Sequence, residues 1–143
     1  MKALEVAKYI INKGIDKDKP VSNLQLQKIL YFSHIDVLKA KKEKLIDDGQ
    51  FEAWDYGPVL RDVYNEFSPY GATKLTIKEE LSDSLDKNIK DIVDKSIDKY
   101  IEKSPWELVT KSHEKDGAWE KNYKEGEKRI ISDKDIEEEA NNA

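Results

Sequence analysis

Ser22-Asn23-Leu24-Gln25-Leu26-Gln27-Lys28-Ile29-Leu30-Tyr31-Phe32-Ser33 begins as a helix start and continues as a helix interior. Ser22 stands three positions before Gln25, the spacing of a reciprocal N-terminal cap. Leu26, Ile29, Leu30 and Ser33 then fall along one face, and Ile35, Val37 and Leu38 broaden the apolar stripe. The spacing predicts a helix central to the core, with Leu30 buried, ending between Ala40 and Lys44.

Outward from this helix, residues 2–13 carry Leu4, Ala7, Ile10 and Ile11 at helical spacing, with Gly14 read as the stop and 16–20 as a charged loop. On the other side, Leu45-Ile46 and Phe51–Trp54 flank Asp47-Asp48-Gly49, which suggests a small β-hairpin. Tyr56-Gly57-Pro58 then breaks the hairpin and starts a helix, with proline in its first turn. Val59, Val63 and Phe67 form the expected buried stripe of that helix, with Leu60 and Tyr64 alongside, and Pro69-Tyr70-Gly71 ends it. Leu75 to Ile77 is a short strand or extended loop.

Residues 84–103 hold the strongest helical period, through Leu85, Ile89, Ile92, Val93, Ser96, Ile97 and Tyr100. Ser104 and Glu107 make a second capping box with Pro105 at the first helical position, for a helix reaching about His113. Another helix starts near Ala118. Ser132 with Asp135 caps a last one through Glu139. The predicted fold class is mainly α: a single compact helical domain over residues 1–131, with a small hairpin or sheet near 45–54 and 75–77. A short C-terminal helix and a fraying acidic tail follow over 132–143.

The chain has 143 residues, 38% hydrophobic and 38% charged. Charge stands well above the usual quarter of a globular chain, roughly 25%, yet the helical periods indicate a folded domain with charged outer faces. The absence of cysteine excludes disulfides and thiolate chemistry. No apolar run approaches membrane-span length, and Glu5, Lys8 and Asn12 interrupt the only candidate for a signal core, so a cytoplasmic protein with no membrane partner is expected. Net charge is −5, and only Arg61 and Arg129 among the cations are arginine. Both facts argue against direct nucleic-acid binding. The run Lys39, Lys41, Lys42 and Lys44 reads as a solvated helix end favoured by the dipole.

Two constellations stand out. Glu52-Ala53-Trp54-Asp55-Tyr56-Gly57-Pro58-Val59 packs two aromatics into a corner where glycine permits a tight turn and proline sets direction. Its aromatics can anchor the core or serve as binding anchors; from spacing alone the core role is favoured for Trp54. The second is Ser104-Pro105-Trp106-Glu107-Leu108, then Ser112-His113-Glu114 and Gly117-Ala118-Trp119. Ser112 and His113 are neighbours, pointing about 100° apart on a helix, which does not suit a nucleophile and its base. His34 is the only other histidine, and no metal-binding spacing, phosphate loop or nucleophile elbow occurs. No catalytic, metal or cofactor-binding residue is therefore assigned, and no cofactor is expected. His113 reads as a helix-end cap or an internal hydrogen-bonding group.

Taken in order, these segments resemble the Panacea, or SocA-like, antitoxin domain, which also occurs in phage-associated proteins. The resemblance rests on Leu24–Phe32, Glu52–Val59, Val63-Tyr64, Tyr70-Gly71, Leu108–His113 and Trp119, within residues 2–125. The chain departs from the pattern at Ser112, where threonine is usual, and at Ala118, where proline is usual. The resemblance implies a non-enzymatic protein that binds and neutralises a cognate protein toxin, often encoded beside it. It also implies, in at least one branch, an adaptor that hands the toxin to a protease or chaperone system. Some members carry an added DNA-binding module; with 143 residues none is expected here. The expected partner-binding residues are Trp54, Asp55, Tyr56, Pro58, Val59, Arg61 and Tyr64, together with His113 and Trp119. Two rival readings stand beside this one. One is a small hydrolase or transferase using His113 and carboxylates; the other is a nucleic-acid-binding regulator using the lysine cluster.

Overall fold

Ser22 accepts a hydrogen bond from the Gln25 amide, and the Gln25 side chain accepts one from the Ser22 amide, so α2 (Asn23–Lys41) starts where its capping box stands. The computed structural model, which describes residues 1–82 and 85–142, places this helix at the centre of the molecule. Of its 19 residues, 14 are buried, so it is enclosed on all sides instead of presenting one stripe. α1 (Ala3–Asp16), α4 (Lys87–Tyr100), α5 (Pro105–Ser112) and α7 (Asp133–Asn142) pack around it, together with a small sheet. Leu26, Ile29 and Leu30 are fully buried.

The sheet is antiparallel with order β2-β1-β3, from β1 (Phe51–Trp54), β2 (Gly57–Leu60) and β3 (Arg129–Ile130). α3 (Arg61–Phe67) follows β2 directly, and α6 (Ala118–Asn122) lies between α5 and β3. The mainly helical class with a small sheet matches the sequence reading, but the strands are placed differently. Phe51–Trp54 pairs forward with 57–60, not back with Leu45-Ile46. Leu45 and Ile46 are both buried, which an alternating strand with one solvent face does not allow, and the Ile46 amide donates to His34 Nδ1 at 3.3 Å. The Asp47-Asp48-Gly49 turn serves α1 instead. Asp48 Oδ1 accepts from the Ala3 amide at 2.8 Å, capping a helix whose own N-cap, Lys2, makes no side-chain bond. Leu75–Ile77 forms no strand; the Leu75 amide makes a single bond to the Val21 carbonyl.

Two helix boundaries also move. Gly14 lies inside α1, and a Cβ there would sit 2.9 Å from the Lys19 carbonyl oxygen. Its role is close approach of the returning chain, and the stop falls at Asp16. α4 begins after Asp86, whose side chain accepts from the Asn88 amide; the expected start at Ser84 lies outside the described residues. Val93, Ser96, Ile97 and Tyr100 are buried against α2 as the period requires. The Ser104–Glu107 box forms on α5, and Ser132 Oγ accepts from the Asp135 amide at the start of α7. Among the described residues, no helix is long and apolar enough to cross a membrane.

Candidate functional site

Because α2 is enclosed, its buried polar groups need partners inside; Gln27 and Lys28 find them, while Ser33 Oγ has none among the described residues. Gln27 is buried; its Oε1 accepts from the Leu60 amide at 3.0 Å and its Nε2 donates to Asn23 Oδ1. Lys28 is fully buried, and its ammonium nitrogen donates to the Pro58 carbonyl at 2.8 Å. These bonds occupy the outer edge of β2. Pro58 therefore sits in an edge strand, paired with Ala53, instead of opening a helix, because an edge position tolerates a missing N–H. The helix begins three residues later, at Arg61.

Asp55 and Tyr56 form the two-residue turn between Trp54 and Gly57. Gly57 has φ +110, and a Cβ on it would lie 2.5 Å from Ser112 Oγ and 2.8 Å from Lys28 Cε. Only glycine fits this position, on both conformational and steric grounds. At this one atom position the end of α5, the interior of α2 and the hairpin converge.

The hairpin is also tied from the far side. Trp119 Nε1 donates to the Trp54 carbonyl at 2.7 Å, and the Tyr123 hydroxyl donates to Asp55 Oδ1 at 2.7 Å. His113 lies flat on Trp119, with centroids 3.6 Å apart and planes at 5°, and Trp119 stacks on Tyr123 at 4.4 Å. Burial, aided by the nearby Lys28 charge, holds His113 below the usual imidazole range. Its Nε2 is buried with no hydrogen-bond partner among the described residues. His34 faces Phe51 instead. Asp55 is taken by Tyr123, and Glu52 by Arg61 and Trp54, so neither carboxylate is bonded to His113. Among the described residues, no group of three or more His, Asp or Glu is placed to hold a metal.

On the outer side of the hairpin lies a groove of about 700 Å³, with walls formed by Trp54, Tyr56, Tyr64 and Trp106. Tyr56 is 57% exposed and Trp106 59%, and their rings meet edge to face at 5.4 Å. Trp54 is half-buried, edge-on to Tyr64 at 4.8 Å. Arg61 lies 5.6 Å from the Trp54 ring centre and Lys128 4.2 Å. Arg61 is held by both oxygens of Glu52. Burial alone would raise the Glu52 carboxyl, but the bonds from Arg61 and Trp54 outweigh it and hold it below its ordinary value. Two further clefts, of about 580 and 520 Å³, are lined by no exposed aromatic side chain.

The structure thus separates the nine sequence-named residues into two groups. Trp54, Asp55, Tyr56 and Tyr64 line the groove; Arg61 lies beside the Trp54 ring but lines the neighbouring cleft of about 580 Å³, and Pro58 and Trp119 are buried. Val59 is buried at the groove floor, and half-buried His113 stacks behind the hairpin. Sequence reasoning missed Trp106 and Lys128 as groove residues, and Gln27 and Lys28 as the supports of β2. The one available signal was Lys28, the single charge in the run Leu24–Phe32, next to Ile29 on the buried side of the helix.

Comparison with known proteins follows the same segments. A family model described as "Antitoxin SocA-like, Panacea domain" matches residues 26–120, more than half of the chain. The chain is similar to Antitoxin SocA of Caulobacter vibrioides (strain NA1000 / CB15N), at 36% identity over 129 residues, covering 82% of this chain and 68% of that protein. No solved structure matches.

Proposed function

This chain belongs to the Panacea-domain family of SocA-like antitoxins, and from that premise we propose that it neutralises a cognate protein toxin by binding it directly through the aromatic groove. The observation that carries this reading is the Tyr56–Trp106 pair: two large aromatics, each more than half exposed, in contact with one another at the mouth of the groove. Aromatic side chains of this kind dominate protein contacts when a partner covers them. Gly57, Lys28 and the Trp119 and Tyr123 bonds hold the hairpin in shape before binding, which lowers the ordering cost. In this reading Asp55, Tyr56, Arg61, Trp106 and the exposed edges of Trp54 and Tyr64 touch the toxin. Pro58, Val59, His113 and Trp119 shape the surface from beneath.

The chain acts without catalysis in this proposal. His113 packs flat on an indole, with no carboxylate or nucleophile bonded to it among the described residues. His113→Ala should therefore affect neutralisation only as far as it affects folding and binding. A variant that folds and binds but fails to neutralise would restore a chemical role.

The test is co-expression with the protein encoded beside it, scored for growth and co-purification. Tyr56→Ala, Arg61→Ala, Tyr64→Ala and Trp106→Ala are each measured for toxin affinity and for stability. A contact hot spot loses at least about 2 kcal/mol of binding while stability stays within about 0.5 kcal/mol. Normal binding by all four, or binding lost only in step with unfolding, places the contact elsewhere. Following toxin half-life in the same cells separates sequestration from delivery to a protease or chaperone system: only delivery shortens it.

A further inference from the structure

Resting on the reading of the groove as the toxin-contacting face, we propose that its occupant is a short, acidic segment of the partner, recognised by side chains and not by strand pairing. An apolar anchor seats against the Tyr56–Trp106 pair, and a neighbouring carboxylate faces Lys128.

The mode of recognition follows from the sheet edges. Adding a partner strand requires free backbone donors and acceptors along an edge. On β2 the Leu60 amide is taken by Gln27, the Pro58 carbonyl by Lys28, and Pro58 has no N–H. The opposite edge, β3, is two residues long. Recognition beside this hairpin is thus left to side chains. The apolar anchor follows from the aromatic pair, which is fixed on both sides. Tyr56 lies in a two-residue turn between paired residues, and Trp106 lies in the first turn of α5, behind Pro105 and the Ser104–Glu107 box. The groove's roughly 700 Å³ suits a compact occupant of a few side chains.

The carboxylate follows from the charges that line the groove. Its two acidic side chains are engaged internally: Asp55 by the Tyr123 hydroxyl, Glu127 by Lys124 and Arg129. Lys128 lies over the Trp54 ring and makes no salt bridge or hydrogen bond to a carboxylate among the described residues. On a chain of net charge −5, the groove therefore presents, beside its aromatics, a cation held in no ion pair, although the Glu52 carboxylate feels its charge and Asp55 keeps its own. Its complement is a negative group next to an apolar one.

The experiment uses random ten-residue peptides displayed on phage and selected on the full chain. Selected sequences are then synthesised and titrated. Enriched peptides should carry Asp or Glu within a few positions of a large apolar residue. Affinity should fall at least about tenfold, roughly 1.4 kcal/mol, on the folded Tyr56→Ala/Trp106→Ala double variant. It should fall comparably on Lys128→Glu and recover there when the peptide's acid is exchanged for lysine. Peptides N-methylated at alternate amides should bind nearly as well as the parents. The proposal is overturned by enrichment without acidic residues, by failure to enrich any peptide that depends on Tyr56 and Trp106, or by loss of binding on N-methylation. The toxin reading fails separately. If the toxin still binds with the groove filled by a selected peptide, the segment chemistry stands and the toxin contact lies elsewhere.

Discussion

Among the described residues Lys28 has one hydrogen-bond acceptor in the interior and no bonded carboxylate, and burial pushes its ammonium pKa down to about 7. In the unfolded chain a lysine titrates near 10.4, roughly. Between those values the unfolded state binds more protons than the native one, so stability rises as pH increases from about 7 toward 10. Below about 7 both states carry the proton and this contribution levels off. Urea titrations between about pH 7 and 9.5 should show that rise, and Lys28→Met should flatten it; equal slopes in both proteins would mean that the amine is charged and solvated. Gly57 gives a steric counterpart. Gly57→Ala should cost about 1–3 kcal/mol, through a left-handed φ that alanine tolerates poorly and a contact with Ser112 Oγ. Adding Ser112→Ala should recover part of that loss and only part, since the backbone strain and the Lys28 contact remain.

At the scale of elements, α2 carries both the core and the support of the site. Its apolar residues face α1, α4 and α7, while Gln27 and Lys28 reach the backbone of β2. Leu30 is fully buried, so Leu30→Ala should destabilise the fold by about 2–5 kcal/mol in chemical denaturation. A loss below about 0.5 kcal/mol would be a surface value. His34, on the same helix, is pushed down to about 4 by burial and then by the nearby Lys44 charge. The unfolded state binds the extra proton between about 4 and 6.5, so stability falls on acidification through that window. His34→Asn keeps an acceptor near the Ile46 amide and cannot take up that proton. Its stability should depend less on pH there than that of the parent.

For the whole molecule, the question is whether α7 is an appendage or part of the folding unit. Ile136 and Ala140 are buried against the core, and Glu139 Oε1 accepts from the Ala118 amide at 2.8 Å. α7 is accordingly expected to unfold with the rest. Ile136→Ala should lower stability by about 2–5 kcal/mol while unfolding remains one transition by near- and far-ultraviolet circular dichroism. A separate early transition would mark residues 132–143 as an independent tail.

Local bonds made the helices legible in the sequence. The Ser22–Gln25 and Ser104–Glu107 boxes each close over three residues, so neighbours alone suffice to set them. Part of the groove was legible for a related reason: Trp54, Tyr56 and Tyr64, with Arg61 beside them, lie in one short run around a glycine-proline turn. Trp106 and Lys128 join them only in three dimensions, about a third and about half of a chain away in sequence. The sheet was decided the same way, because β3 is two residues long, shows no period, and meets β1 across the pair Glu52 and Ile130. Enclosure of α2 was likewise a tertiary outcome. A glutamine and a lysine in a helix read as solvated until the backbone they bind is in place, and the sequence does not say that β2 will lie beside them.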